Sequence, residues 1–175
     1  MAVIDPAIVN ERGMKHTGTK SWDRAFFLLC APLALFVMPL VAGYDLGHTA
    51  APRIPVIYSV MGCLVYLSAA FFMQWATYVN KHFEVTVRIQ DDRGHRVVSS
   101  GPYRIIRHPG YSAAITLYLL MPVIVGSYYA LIPAGLITAL FIVRTALEDA
   151  TLSNELAGYT AYANRVKFRL VPGIW

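Results

Sequence analysis

Four long apolar runs dominate this chain and leave it few ways to fold. They cover Ala25–Ala42, Ile54–Val79, Tyr111–Gly126 and about Leu131–Leu147. The hydrocarbon core of a bilayer is about 30 Å thick, and about 20 apolar residues cross it as a helix. Lipid offers no water to backbone amides, so a spanning segment must satisfy its own hydrogen bonds. The expected fold is therefore all-α: a polytopic membrane protein with about four transmembrane helices, a C-terminal helical hairpin and an interfacial C-terminal helix. Composition agrees, with 57% of residues hydrophobic and only 14% charged. A soluble domain of this size needs more polar residues to cover its surface.

The division expected is a polar, interfacial N-terminal segment, 1–24, followed by one membrane domain, 25–175. No early apolar stretch leads to a small-residue cleavage site, so no cleavable secretory signal is expected. The net charge is +5, from 15 Lys and Arg against 10 Asp and Glu. With four spans, every Lys and Arg except Arg53 falls on one side of the membrane. The positive-inside rule makes that side cytoplasmic, with both termini and the candidate site on it. A bacterial inner membrane and an endoplasmic reticulum membrane satisfy the rule equally. Because the basic residues flank the apolar runs, they suit topology and anionic headgroups, and no nucleic-acid partner is expected.

Between the runs, Glu84–Ile89 (EVTVRI) alternates and reads as a short strand or an extended stretch. Asp91-Asp92-Arg93-Gly94 is a turn signal. Runs three and four are short for a full span, and the brief Gly126–Tyr129 link makes them a tight antiparallel hairpin. The tail, 154–175, carries Tyr159 and Tyr162 at helical spacing and then basic residues. It reads as an amphipathic interfacial helix with Trp175 at headgroup level. Cys30 and Cys63 lie within apolar runs and read as small hydrophobes. His16, His48, His82 and His95 have no metal-ligand spacing, so no metal is expected, and His95 reads as a solvated turn residue. No Gly-rich loop follows a strand, which excludes a soluble dinucleotide-type fold.

Two polar clusters stand where the runs meet the cytoplasmic side. The first, Gly101–Tyr111 (GPYRIIRHPGY), leads into run three. Arg107 and His108 precede a helix N-terminus, whose free N–H groups favour anions, and Pro109 suits the first turn. The cluster reads either as a carboxylate or phosphate pocket or as a basic patch against headgroups. The second is Arg144-Thr145-Ala146-Leu147-Glu148-Asp149. Arg144 and Glu148 are i,i+4 and share a helix face, either as a simple ion pair or as working groups. The hairpin's open end brings His108 and Tyr111 near Glu148 and Asp149, a polarity that suits a zwitterionic, ribose-bearing cofactor.

GPYRIIRHPGY resembles the GPYR-x-x-RHP-x-Y signature of the isoprenylcysteine carboxyl methyltransferase family, which is itself similar to membrane phospholipid N-methyltransferases. Asn80–Phe83 and 91–98 (DDRGHRVV) resemble the family's lead-in. Arg144, Glu148, Asp149 and Leu152 match its Arg-x-x-x-Glu-Glu-x-x-Leu pattern. Tyr159, Tyr162, Arg165-Val166 and Pro172 match its closing segment. The resemblance implies methyl transfer from S-adenosylmethionine to a lipid or lipophilic acceptor bearing a carboxylate or an amine. It implies cofactor contacts at Tyr103, Arg107, His108, Pro109, Tyr111, Glu148 and Asp149. It implies catalytic roles for Arg144, which orients the acceptor, and Glu148. Asp149 departs from the pattern, because the family has a second glutamate there. The weighed alternatives are an NADPH-dependent enzyme of the sterol-reductase type, which shares an RHP-x-Y stretch, and a non-catalytic membrane binding subunit.

Overall fold

The computed structural model describes residues 18–49, 53–90 and 93–175. The expected interfacial stretch before Gly18, His16 within it, and the Asp91-Asp92 half of the turn signal lie outside the described residues. Among the described residues there are five helices and no strand. Helix α1 is Ser21–His48, α2 is Val56–Val79, α3 is Pro109–Val125, α4 is Leu131–Glu155 and α5 is Tyr159–Arg165. Three of them, α1, α2 and α4, are long and apolar enough to cross a membrane. Helix α3 is apolar but has 17 residues, a length of about 26 Å at 1.5 Å per residue.

The apolar runs located these helices, but some ends differ. Helix α1 starts at Ser21 rather than Ala25 and continues to His48 rather than Ala42. Pro32 and Pro39 do not break it. Proline lacks an N–H and crowds the preceding turn, and the chain responds with a π-helical segment at Leu33–Val37, directly after Pro32. Helix α4 runs to Glu155 rather than Leu147, because the polar residues that follow the apolar run are helix-compatible and face the protein on one side. The alternating stretch 84–89 forms no strand. A strand needs a partner ladder, whereas here the Val87 N–H donates to Asp23 Oδ2 at 2.9 Å and the Val87 carbonyl accepts from the Lys20 N–H at 3.2 Å. The tail holds one short helix, α5, whose Tyr159 and Tyr162 are buried against the bundle. Trp175 contacts the Arg169 guanidinium, 4.9 Å from the ring centroid.

Packing follows membrane rules. Helix α2 lies along α3, α3 pairs with α4, and α4 contacts α1. Ala114, Ala130 and Ala134 are buried where helices meet, and small residues there allow close approach. Phe26 of α1 meets Phe141 of α4 edge to face, with centroids 5.1 Å apart. Outward, Leu28, Leu35 and Phe36 of α1 and Val56, Leu64 and Phe71 of α2 are exposed, as suits a lipid solvent. Cys30 is buried and Cys63 exposed, both as free thiols.

The far end of the bundle is closed by a buried carboxylate. Helix α3 ends at Gly126, which takes φ +92° and terminates the helix in the left-handed conformation. In the turn that follows, Ser127 Oγ donates to Asp45 Oδ2 at 2.6 Å and the Tyr129 N–H donates to the same oxygen at 3.3 Å. Thr49 Oγ1 donates to Asp45 Oδ1 at 2.7 Å. Asp45 thus ties the end of α1 to the hairpin turn. Replacing Asp45 with Ala strips these donors of their partner, and a loss of at least about 2 kcal/mol is expected. Thermal unfolding in detergent checks this, and an unchanged Tm contradicts it.

Candidate active site

At the opposite end the starts of α1 and α3, the ends of α2 and α4, and the described parts of the loop 80–98, residues 80–90 and 93–98, converge. Between them is a cleft of about 800 Å³, counted to its open mouth. The loop supplies one wall with Phe83, Glu84 and Gln90. The turn into α3 supplies Arg107, His108 and Tyr111, and the ends of α4 and α5 supply Glu148, Tyr159 and Tyr162.

Asp149 is the hub of this end. Arg107 grips it bidentately, Nε to Oδ1 at 2.8 Å and Nη2 to Oδ2 at 2.9 Å. Tyr159 donates its hydroxyl to Oδ1 at 2.8 Å and Arg169 donates Nε to Oδ2 at 2.9 Å. His108 Nε2 lies 3.1 Å from Oδ1. Burial, and then the neighbouring Asp149 charge, push the Tyr159 phenol far above its ordinary range, so it remains a proton donor. Burial likewise pushes the Tyr162 phenol up, and its hydroxyl donates to the Tyr103 carbonyl at 2.8 Å.

The same hub straps the C-terminal segment over the turn. Arg107 Nη1 donates to the carbonyls of Val166 and Lys167, at 2.8 and 3.0 Å. The backbone N–H groups of Arg107 and His108 donate to Phe168 and Arg169 carbonyls, each at 2.9 Å. Ser112 Oγ donates to the Leu170 carbonyl at 2.7 Å. Arg107 therefore spends most of its N–H groups inside the fold. Pro109 is the first residue of α3, where its missing N–H costs nothing. Tyr103 is buried, and its hydroxyl accepts from Asn80 Nδ2 at 3.3 Å.

Glu148 is held differently from its neighbour. Tyr111 donates its hydroxyl to Glu148 Oε2. Among the described residues Glu148 forms no salt bridge, although it is partly buried and lines the cleft. The Tyr111 ring also stacks parallel to His108, with centroids 5.7 Å apart. The i,i+4 pair of Arg144 with Glu148 does not form. Arg144 turns instead to α1, with Nη2 2.9 Å from Asp23 Oδ1 and 2.6 Å from the Val85 carbonyl oxygen. Its guanidinium lies over the rings of Phe26, Phe27 and Tyr111, at 4.4, 4.9 and 5.1 Å.

Several of these residues were not singled out from the sequence. Asp23 is one, although a carboxylate opening an apolar run is a warning in itself, since charge there is expensive unless it is paired. Glu84 and Arg88 form a bidentate buried pair at 2.9 and 3.0 Å. His82 and His95, far apart in the sequence reading, have ring centroids 4.7 Å apart beside buried Gln90. His95 is half-buried and lines the cleft, where the Gln90 N–H meets its Nδ1 at 3.4 Å. Gly110 permits the closest approach. A Cβ there would lie 2.7 Å from the Phe83 ring. Gly110→Ala should push the 80–98 loop off α3 and weaken ligand binding in the cleft about tenfold or more, since displacements of about an ångström carry such penalties. Wild-type affinity in Gly110→Ala contradicts this.

A helical bundle with a lipid-facing apolar surface, carrying a polar, carboxylate-lined cleft at one end, defines an integral membrane protein with a small-molecule site. Residues 60–154, more than half of the chain, match the model of the isoprenylcysteine carboxyl methyltransferase family. The chain belongs to that family, and its class is membrane methyltransferase. No curated protein matches it.

Proposed function

We propose that this protein transfers a methyl group from S-adenosylmethionine to a lipid or lipid-modified acceptor at the cytoplasmic face of its membrane. The observation that carries the reading is Glu148, a cleft-lining carboxylate held by Tyr111 and without a cationic partner among the described residues. A cationic cofactor suits that charge. A nicotinamide dinucleotide phosphate would instead bring several phosphate charges to the same carboxylate. The cytoplasmic orientation rests on the distribution of Lys and Arg, with Arg53 alone at the opposite end.

Within this reading Tyr103, His108, Tyr111 and Glu148 hold the cofactor. Pro109 sets the turn that presents His108 and Tyr111. Arg107 and Asp149 act from behind, by fixing that turn and the C-terminal strap. The bound cofactor supplies a methyl carbon on a positively charged sulfur, and the acceptor's lone pair forms the new bond as the carbon–sulfur bond breaks with its electrons going to sulfur. A carboxylate acceptor is already ionised near neutral pH and requires alignment. Arg144 is buried and does not itself line the cleft, but it lies over the cleft-lining ring of Tyr111, and that contact supports it as the cation that aligns the acceptor. An amine acceptor must lose a proton, and Glu148 is the base within the cleft. Holding donor and acceptor in line is the main task, worth about 7–11 kcal/mol in favourable cases. The acceptor's apolar part stays in lipid and approaches between helices, since passage through water is costly.

Calorimetry on detergent-purified protein tests the cofactor, and transfer of labelled methyl to N-acetyl-S-farnesylcysteine or to phosphatidylethanolamine vesicles tests the reaction. Saturable binding of S-adenosylmethionine, with none of NADPH, is expected. Binding of NADPH alone by folded protein reverses the reading.

A further inference from the structure

We propose that Asp23 is a positioning residue for methyl transfer, acting through Arg144; this rests on the functional reading above. Asp23 lies outside the segment that matches the family, so the matching motifs do not include it. It is fully buried in the first turns of α1. One oxygen, Oδ1, lies 2.9 Å from Arg144 Nη2, and the other accepts the Val87 N–H at 2.9 Å. Asp23 thus joins three parts of the site: α1, the loop that walls the cleft, and the cation of α4.

The pair is not what stability alone would select. Buried ion pairs contribute little net stability unless their remaining hydrogen bonds are made, and apolar replacements are often as good. Here those bonds are incomplete. Among the described residues, buried Arg144 Nε has no hydrogen-bond partner, and Asp23 Oδ1 has the close cation but no well-directed hydrogen bond. Unsatisfied buried polar atoms in native proteins call for a reason. The aromatic rings of Phe26, Phe27 and Tyr111 fix the guanidinium by its faces, and Asp23 with the Val85 carbonyl fixes Nη2. Nε–H is left as a buried donor without a partner, near the Tyr111 ring that borders the cleft. A ligand anion reaching Arg144 finds this donor free. Asp23 also offsets the charge of Arg144, so the cationic methyl donor is not repelled from the neighbouring cleft.

The experiment compares wild type and Asp23→Asn as full-length detergent-purified proteins. It reads S-adenosylmethionine affinity by calorimetry, and kcat and KM with whichever of the two acceptors the wild type methylates. Asp23→Asn should keep the cofactor affinity within about twofold, because Asp23 does not line the cleft. Its kcat should fall about 10–100-fold, the scale of an ångström of misplacement. Unchanged kcat per folded molecule overturns the inference, even if Tm falls. So does a kcat loss that merely follows lost cofactor affinity, since that marks collapse of the site. If Asp23→Asn does not fold, Asp23→Glu keeps the charge but moves it by one methylene, and the same outcomes decide. Wild-type protein that methylates neither probe overturns the functional reading itself and this inference with it.

Discussion

Asp149→Ala should destabilise the protein by about 3–5 kcal/mol and abolish cofactor binding, because it leaves buried Arg107 without its counter-ion. The loss spreads further than one pair. Tyr159 and Arg169 lose their acceptor, His108 loses the carboxylate beside its ring, and the strap from Val166 to Leu170 loses the arginine that gathers its carbonyls. These groups come from the turn into α3, from α5 and from the tail, so a single substitution in α4 should loosen all three. Asp149→Asn should be milder in shape but still costly, since it keeps one acceptor oxygen and removes the charge. Asp149→Glu restores the residue type usual in the family pattern. It should nonetheless weaken the protein, because five contacts at 2.8–3.1 Å leave no room for another methylene. Thermal unfolding in detergent, read beside calorimetry, checks all three. Full stability in Asp149→Ala would remove the hub from this account.

Glu148→Gln should separate the two effects: little change in stability and a large loss of binding. Glu148 has one side-chain partner, Tyr111, and its neighbour Asp149 carries the structural load. Gln keeps an oxygen for that hydroxyl while removing the charge. The expected loss of S-adenosylmethionine affinity is about 10–100-fold, or roughly 1.4–2.8 kcal/mol at 1.4 kcal/mol per tenfold. The loss should shrink as salt screens the cleft mouth. Equal affinity in Glu148→Gln would show that the carboxylate does not face the cofactor's charge. Two adjacent acidic residues, one failing in stability and binding together and the other in binding alone, form a pair of results that neither a general weakening nor a general loss of charge reproduces.

Much of the architecture was legible in the sequence because its cause is local. Lipid accepts only self-satisfied backbone, so apolar runs had to be helices, and α2 lies almost where its run does. The helix ends were less legible. The first run passes through Pro32 and Pro39, as α1 does with a π segment after Pro32, but α1 extends beyond that run at both ends, to Ser21 and His48. The alternating stretch 84–89 has strand periodicity, but no ladder partner lies beside it, and α1 takes its hydrogen bonds. The two polar clusters were visible because their residues are close along the chain and placed at helix ends. Their pairings were not visible. The i,i+4 spacing offers Arg144 to Glu148, whereas the protein gives Arg144 to Asp23 and Glu148 to Tyr111.

The sequence by itself determined a helical membrane bundle, the hairpin of α3 and α4, and the meeting of the RHP turn with the acidic end of α4. These follow from hydrophobic length and from short links, which act within one segment or between neighbours. Tertiary structure alone decided the roles of individual charges. Asp149 is a buried hub and Glu148 a cleft-lining carboxylate held by Tyr111, although they are adjacent and chemically alike. Neighbours on a helix point about 100° apart, so one faces Arg107 and the strap while the other faces the cleft. Asp23 reaches Arg144 across 121 residues of chain because α1 and α4 pack side by side. A charge takes its meaning from what surrounds it in space, and no local pattern carries that information.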